Sequence, residues 1–285
     1  MNLVIQGVQP LAAAQIDSVR AALGHGAPAP ETVDAHAVRF AFGETPPSEP
    51  VRTGLAQVCE AMSLDCAWLA PGRMADFAVL AMDMDSTLIT IECIDEIADF
   101  CGVKDRVAAI TEAAMRGEIK DFAESLTRRV ALLEGLEATA LEQVYLERLR
   151  LSPGAETLLA RAREAGLKTL LVSGGFTFFT EKLQTRLGLD FTHANRLEVV
   201  DGKLTGRVDG PILDAAGKAR ELRLTCQRLG VPTARAIAIG DGSNDLAMMA
   251  EAGVSVAYHA KPKVREAASV ALSHVGLDGV PRLFA

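Results

Sequence analysis

Three apolar runs in this chain stop abruptly on small or acidic residues, and this pattern limits the folds open to it. Residues 77–82, 169–172 and 236–239 are almost continuously apolar. They are followed at once by Asp83, by Ser173-Gly174-Gly175 and by Gly240-Asp241-Gly242. A strand with one wet face alternates apolar and polar residues; an uninterrupted run marks a strand covered on both faces, as in a parallel sheet between helices. From residue 76 onward such strands alternate with helical stretches, the pattern of an α/β fold. Ligands of open parallel sheets bind beyond the carboxyl ends of the strands. Three strands therefore carry polar groups, two of them acidic, to one edge. Turns alone would explain the glycines and the serine, but explain the acids less well.

The first seventy-odd residues are organised differently. Residues 3–5 read as a strand, 12–23 as a helix stopped by Gly24 and Gly26, and 32–42 as a strand with a break. Residues 51–62 read as a second helix and 66–69 as a last strand, before Pro71-Gly72. The expected organisation is thus a small α+β (ferredoxin-like) unit over 1–72, without a catalytic motif, and an α/β unit over 73–285. A mostly helical insert at about 90–150 separates the first two apolar runs. Alternation around Asp201-Gly202 predicts a hairpin over 196–209. Both are candidate lids over the strand ends.

The chain has 285 residues, which suits about two domains. Its formal charge of −8 and aromatic content of 5% argue against a nucleic-acid or anionic-membrane partner. No basic residue precedes Arg20 and no apolar run approaches the ~18 residues of a membrane span, so neither a targeting peptide nor a membrane partner is expected. Five scattered cysteines without a CxxC pair give no disulfide framework and no zinc site. The expectation is a soluble, reduced, cytoplasmic protein.

Asp83 and Asp85, two residues apart at a strand tip, repel each other unless they share a cation or one is protonated. Oxygen ligands of this kind suit Mg²⁺, and Asp241, with Asn244 and Asp245 close behind, stands at the tip of another strand. Ser173 reads equally as a phosphate ligand or as a helix N-cap. Lys218 opens a helix capped by Asp214 and lies one turn before Leu222 on the stripe Leu222, Cys226, Leu229, where a solvated lysine is not expected. Asp245 also fits a first-turn helix acid. If 121–134 is helical, Phe122, Leu126, Val130 and Leu133 form a stripe with Arg129 near its centre, while Arg128 points away. A guanidinium there needs a partner, either a carboxylate ligand held bidentately or a structural salt bridge. Glu92 lies opposite the stripe Ile94, Ile97, Ala98, Cys101 and by itself reads as a solvated first-turn acid.

Asp83-Met84-Asp85-Ser86-Thr87-Leu88, Ser173-Gly174-Gly175, Lys218 and Gly240-Asp241-Gly242-Ser243-Asn244-Asp245 resemble, in order and spacing, the four motifs of the haloacid-dehalogenase-like phosphohydrolases. The resemblance covers residues 76–285, with Ser243 where alanine is more usual. Thr87-Leu88-Ile89 with Glu92, residues 94–98, Arg129 and the segment 258–263 are similar to the phosphoserine phosphatase group of that family. The resemblance implies a Rossmann-like parallel core with a helical cap, and hydrolysis of O-phospho-L-serine as the last step of serine biosynthesis. It implies Asp83 as nucleophile forming an aspartyl phosphate, and Asp85 as general acid and then base. Mg²⁺ would be held by Asp83, the Asp85 carbonyl and Asp241. Ser173, Gly174, Lys218 and Asn244 would hold the phosphoryl group, with backbone N–H donors at a helix start, and Asp245 would orient Lys218 or a metal-bound water. Glu92 and Arg129 would hold the substrate ammonium and carboxylate, with Phe122 and Met115 lining the lid.

Residues 1–72 resemble a small regulatory amino-acid-binding domain, with dimerisation (a homodimer), serine sensing or neither as its role. Deleting them should leave a competent core unless they cover apolar core surface. Two rivals remain: a related phosphohydrolase or phosphotransferase, on phosphothreonine for example, which need not keep Glu92 and Arg129, and a non-catalytic amino-acid sensor, which would be expected to have lost Asp83.

Overall fold

The computed structural model describes residues 1–43, 47–116, 118, 119 and 121–284; the side chain of Met115 lies outside the described residues. The chain starts with β1 (Asn2–Gly7), α1 (Ala13–Leu23), β2 (Pro30–Asp34), β3 (Ala37–Ala41), α2 (Glu49–Ala61) and β4 (Leu64–Leu69). These strands form an antiparallel sheet in the order β2-β3-β1-β4, so the interrupted strand expected over 32–42 is a hairpin. Leu3 and Ile5 of β1 face a core closed by Val19 of α1 and by Leu55 and Cys59 of α2. Val4 points the other way, as the two-residue period requires.

The larger sheet has the order β11-β10-β9-β5-β6-β7-β8. Its strands are β5 (Val79–Met82), β6 (Lys168–Phe176), β7 (Phe191–Val200), β8 (Lys203–Asp209), β9 (Ala236–Gly240), β10 (Val254–Tyr258) and β11 (Val270–Leu272). All neighbours are parallel except β7 and β8. Alternate residues of the central strands enter two separate cores: Leu80, Met82, Ile237 and Ile239 on one face, Val79, Ala81, Ala236 and Ala238 on the other. That two-sided burial is why these runs are continuously apolar. β5 begins at Val79, two residues later than the apolar run; Phe77 packs instead edge-on against Phe284 at 5.1 Å.

Between β5 and β6 the chain forms the helical insert: α3 (Cys93–Phe100), α4 (Lys104–Met115), α5 (Phe122–Ala131) and α6 (Thr139–Gln143). It leaves and re-enters the core as a two-stranded stem. Ile89 bridges Leu151 antiparallel, Thr90 N–H donates to the Arg150 carbonyl at 3.0 Å, and Ser152 N–H donates to the Leu88 carbonyl at 3.0 Å. The core continues with α7 (Ala155–Glu164), α8 (Thr177–Leu187), α9 (Ala215–Arg228), α10 (Leu246–Glu251), α11 (Pro262–Ala267) and α12 (Gly279–Arg282). The expected hairpin is β7–β8, turning through Asp201 (φ 50°) and Gly202 (φ 78°), the two left-handed positions of a type I′ turn. It braces the insert: Gly135 N–H donates to the Leu204 carbonyl and Ala138 N–H to the Gly202 carbonyl, each at 2.8 Å. Among the described residues no helix is long and apolar enough to cross a membrane.

The antiparallel sheet covers apolar surface of the larger unit. Val4, Ala67 and Leu69 belong to the same buried cluster as Met74, Val275, Val280 and Phe284. At this seam the buried Asp65 accepts backbone hydrogen bonds from Ser273 (2.7 Å), His274 (3.0 Å) and Val275 (2.9 Å). The condition attached to the deletion of residues 1–72 is therefore met, and that truncation is expected to expose core rather than release an independent enzyme. Asp65→Ala would leave three N–H donors without their acceptor. The expected loss is about 2–4 kcal/mol at roughly 1–3 kcal/mol per buried unpaired group after partial rehydration. Urea denaturation measures it, and a loss under about 0.5 kcal/mol, the range of ordinary surface substitutions, would mean the seam does not depend on this carboxylate.

Candidate active site

The carboxyl ends of β5, β6 and β9 meet beneath the insert in a cavity of about 470 Å³. Its lining joins the groups expected from the strand tips, Asp83, Asp85, Ser173, Gly174, Asp241 and Asn244, with Glu92, Phe122 and Arg129 of the insert.

Asp83 directly follows β5 and is 4% exposed. Its Oδ1 accepts the Met84 N–H at 2.7 Å and lies 2.8 Å from Lys218 Nζ. Lys218 is 1% exposed and also donates to Asp245 Oδ1 at 2.7 Å. It stands on α9, whose cap Asp214 accepts from Gly217 N–H as expected. Burial raises the Asp83 carboxyl well above the ordinary carboxylate range, Asp245 adds to the rise, and Lys218 opposes it. Burial alone would lower the Lys218 ammonium, but Asp245 and Asp83 together raise it. Lys218 is thus a cation fixed between two carboxylates.

Asp85 lies beside it. Burial pushes its carboxyl up to about 7, Glu92 adds to the rise, and contacts with Cys93 at the start of α3 oppose it. A carboxyl poised near neutrality can give and take a proton at cellular pH. A Cβ on Gly175 would fall 2.6 Å from Asp85 Oδ2, so only glycine lets the second strand tip approach this closely. Asp241 is raised to about 6, by burial first and then by Asp245 and Glu92; Thr87 Oγ1 donates to its Oδ1 at 3.2 Å.

Carboxylate oxygens of Asp83, Asp241 and Asp245 lie within 4.8 Å of one another, an acidic cluster able to hold a metal ion. Hydrogen bonds and ion pairs engage Oδ1 of Asp83 and Oδ1 of Asp241, but both oxygens of Asp245, one by Lys218 and the other by Gly242 N–H at 3.0 Å. The donor set therefore fits a hard cation on Asp83 and Asp241, with Asp245 committed to Lys218.

Ser173 is not a helix N-cap. β6 runs on to Phe176, its pairing with β7 irregular between Val172 and Phe176, and α8 starts only at Thr177 with Phe176 as its cap; Ser173 Oγ instead accepts Gly175 N–H at 2.9 Å. The backbone donors near Gly174 accordingly belong to a strand end and not to a helix start. Asn195 of β7, which the sequence reading did not single out, is 2% exposed and holds this segment: its Nδ2 donates to the Gly174 carbonyl at 2.8 Å and its Oδ1 accepts Leu213 N–H at 2.7 Å. A buried asparagine with both ends used has no periodic signature that would reveal it.

In the insert, Asp121 caps α5 by accepting Ala123 N–H, and Arg128 is exposed and paired with Glu124. Arg129 turns inward into the cavity, and its Nε donates to the Ser125 carbonyl at 3.3 Å. Among the described residues no carboxylate comes within the 4.0 Å of a salt bridge to Arg129, which answers the structural-pair alternative. Burial lowers the Arg129 guanidinium, opposed by the charges of Asp95, Glu92 and Asp85. Glu92 precedes α3, is exposed and lines the cavity. The Phe122 ring lies over the second strand tip, with its Cζ 2.9 Å from where a Gly174 Cβ would stand.

The family model of haloacid dehalogenase-like hydrolases matches residues 80–250. The chain belongs to this family. Among haloacid dehalogenase-like relatives, a phosphoserine phosphatase of Polaromonas sp. is 59% identical over 210 residues, 72% of this chain and 89% of that protein. A crystal structure of a family hydrolase from Salmonella enterica superposes with a TM-score of 0.89 at 30% identity, covering 100% of this chain and 99% of that one. A phospho-aspartyl intermediate analogue of phosphoserine phosphatase superposes with a TM-score of 0.69 at 36% identity, covering 73% and 99%.

Proposed function

We propose that this haloacid dehalogenase-like hydrolase is a Mg²⁺-dependent phosphoserine phosphatase, cleaving O-phospho-L-serine to L-serine and phosphate through an aspartyl phosphate, the last step of serine biosynthesis. The observation that carries the reading is Arg129, a guanidinium turned into the cavity with no carboxylate in salt-bridge range among the described residues and with Glu92 on the same lining. One anchor of each charge matches the carboxylate and ammonium of an amino acid.

The Asp83 carboxylate attacks phosphorus while Asp85 gives its proton to the departing serine oxygen. Asp85 then takes a proton from the water that attacks the phosphoaspartate, releasing phosphate and restoring Asp83. Lys218 and Ser173, with Gly174 and Asn244, hold the phosphoryl oxygens; Asp245 keeps Lys218 in place. Asp83, Asp241 and the Asp85 carbonyl are the residues that would hold Mg²⁺, and the chemistry it supplies when bound is relief of the repulsion between phosphate and carboxylates. Phe122 stands over Gly174 at the phosphoryl end of the site. In this reading residues 73–285 are the phosphatase unit with its cap at about 90–150, residues 1–72 are a smaller unit covering part of it, and the enzyme is cytoplasmic.

The test is phosphate release from L-phosphoserine, L-phosphothreonine, phosphoethanolamine and an aryl phosphate, with Mg²⁺ and then with EDTA. L-phosphoserine should lead and EDTA should stop the reaction. Phosphoethanolamine, which lacks the carboxylate, should be poor. Arg129→Ala should lower kcat/KM for phosphoserine about 100-fold, the range for losing a buried charge-assisted contact. The aryl phosphate should lose only a few-fold. A flat substrate profile, or equal losses for both substrates, would retire the substrate assignment and leave the phosphohydrolase chemistry.

A further inference from the structure

Ser86 occupies a backbone conformation that suits glycine. Its φ of 55° and ψ of 1° are left-handed, in the single turn of Met84–Leu88 just after the nucleophile. Glycine adopts this conformation without steric cost, whereas any side chain carries a penalty. Serine side chains in such turns commonly bond the neighbouring backbone. Ser86 instead donates its hydroxyl six residues along, to Glu92 Oε1 at 2.8 Å, while its own N–H closes the loop on the Ile91 carbonyl at 3.2 Å.

Glu92 has reason to need a tether. It stands at the N-cap of α3, yet its side chain makes no capping hydrogen bond there, so the helix does not fix its rotamer. Asp95 repels its carboxylate and Arg129 attracts it across the same cavity. Left to itself, the carboxylate would move toward Arg129, and the two would neutralise each other before any ligand arrived. In the structure they remain apart, and the hydroxyl of Ser86 holds Glu92 on its own side.

We propose that Ser86 is a positioning residue that keeps Glu92 from pairing with Arg129 and presents its carboxylate to the ammonium of the substrate. This rests on the phosphoserine reading. It explains why a serine stands where glycine would be less strained: the strain is offset by a preorganised pair of anchors.

The experiment compares Ser86→Gly and Ser86→Ala with the parent chain on O-phospho-L-serine and on an aryl phosphate, which carries neither the ammonium nor the carboxylate. Both variants should raise KM for phosphoserine about tenfold, the scale of one lost hydrogen bond to a charged group. The kcat/KM for the aryl phosphate should stay within about threefold, because that substrate uses neither Glu92 nor Arg129. Ser86→Gly relieves the left-handed strain and should melt no lower than the parent, which separates positioning from a structural role. Equal losses on both substrates, or an unchanged KM for phosphoserine in both variants, would overturn the proposal. A parent chain that does not prefer phosphoserine to the aryl phosphate would overturn the phosphoserine reading itself, and the proposal with it.

Discussion

Asp83→Asn is expected to abolish phosphate release, by on the order of 10⁴-fold or more, as for the loss of other covalent nucleophiles, while leaving the chain folded. An amide oxygen is a poor nucleophile, and its attack would give no aspartyl phosphate that Asp85 and water could resolve. The fold should tolerate the change well. The amide matches the carboxylate in size, and Lys218 keeps its bond to Asp245. The amide still offers an oxygen to the Met84 N–H. Phosphate assays with Mg²⁺, beside a thermal melt, check both halves. Retained turnover would remove the covalent mechanism, whereas lost turnover with a collapsed melt would show only that the residue is structural.

Lys218→Met should have the largest effect on stability. The ammonium is 1% exposed and sits 2.8 Å from Asp83 and 2.7 Å from Asp245. Removing it leaves two buried carboxylates facing each other, a loss of about 3–5 kcal/mol for a broken buried pair. The pH dependence has a definite sign. A carboxyl whose pKa is raised in the folded state costs stability at neutral pH, and that cost shrinks as the pH falls toward its unfolded value. Without Lys218 opposing it, Asp83 should rise further, so the deficit against the parent should be larger at pH 8 than at pH 5. Adding Asp245→Asn to Lys218→Met should recover part of the loss by removing one of the uncompensated charges. A deficit that does not vary with pH would mean that lost packing of the lysine stem, and not its charge, holds the site together.

The parts of this molecule legible in the sequence were those whose signal is local. The three strand tips announced themselves because burial on both faces makes a strand continuously apolar, so Asp83, Ser173 and Asp241 marked where each ends. Arg129 was legible by helical phase, one position from the solvated Arg128. What escaped is chemistry that depends on contacts distant in sequence. Asp65 resembles an ordinary exposed acid until residues 273–275 supply its three donors. Thr87 acquires a role only through Asp241, and Asn195 only through Gly174 and Leu213. The end of β6 differs for another reason: Ser-Gly-Gly suits a turn before a helix, but Phe176 still pairs with Asn195 of β7 across an irregular stretch, so the strand continues to it.

The stem at Ile89 and Leu151 has a mechanical consequence. The insert is tied to the frame at two places, by this stem and by the bonds of Gly135 and Ala138 to the β7–β8 hairpin. Glu92 and Arg129 stand on the insert; Asp83, Asp85 and Asp241 stand on the frame. A ligand long enough to reach both parts therefore adds a third tie between insert and frame, which bare phosphate at the strand tips does not supply.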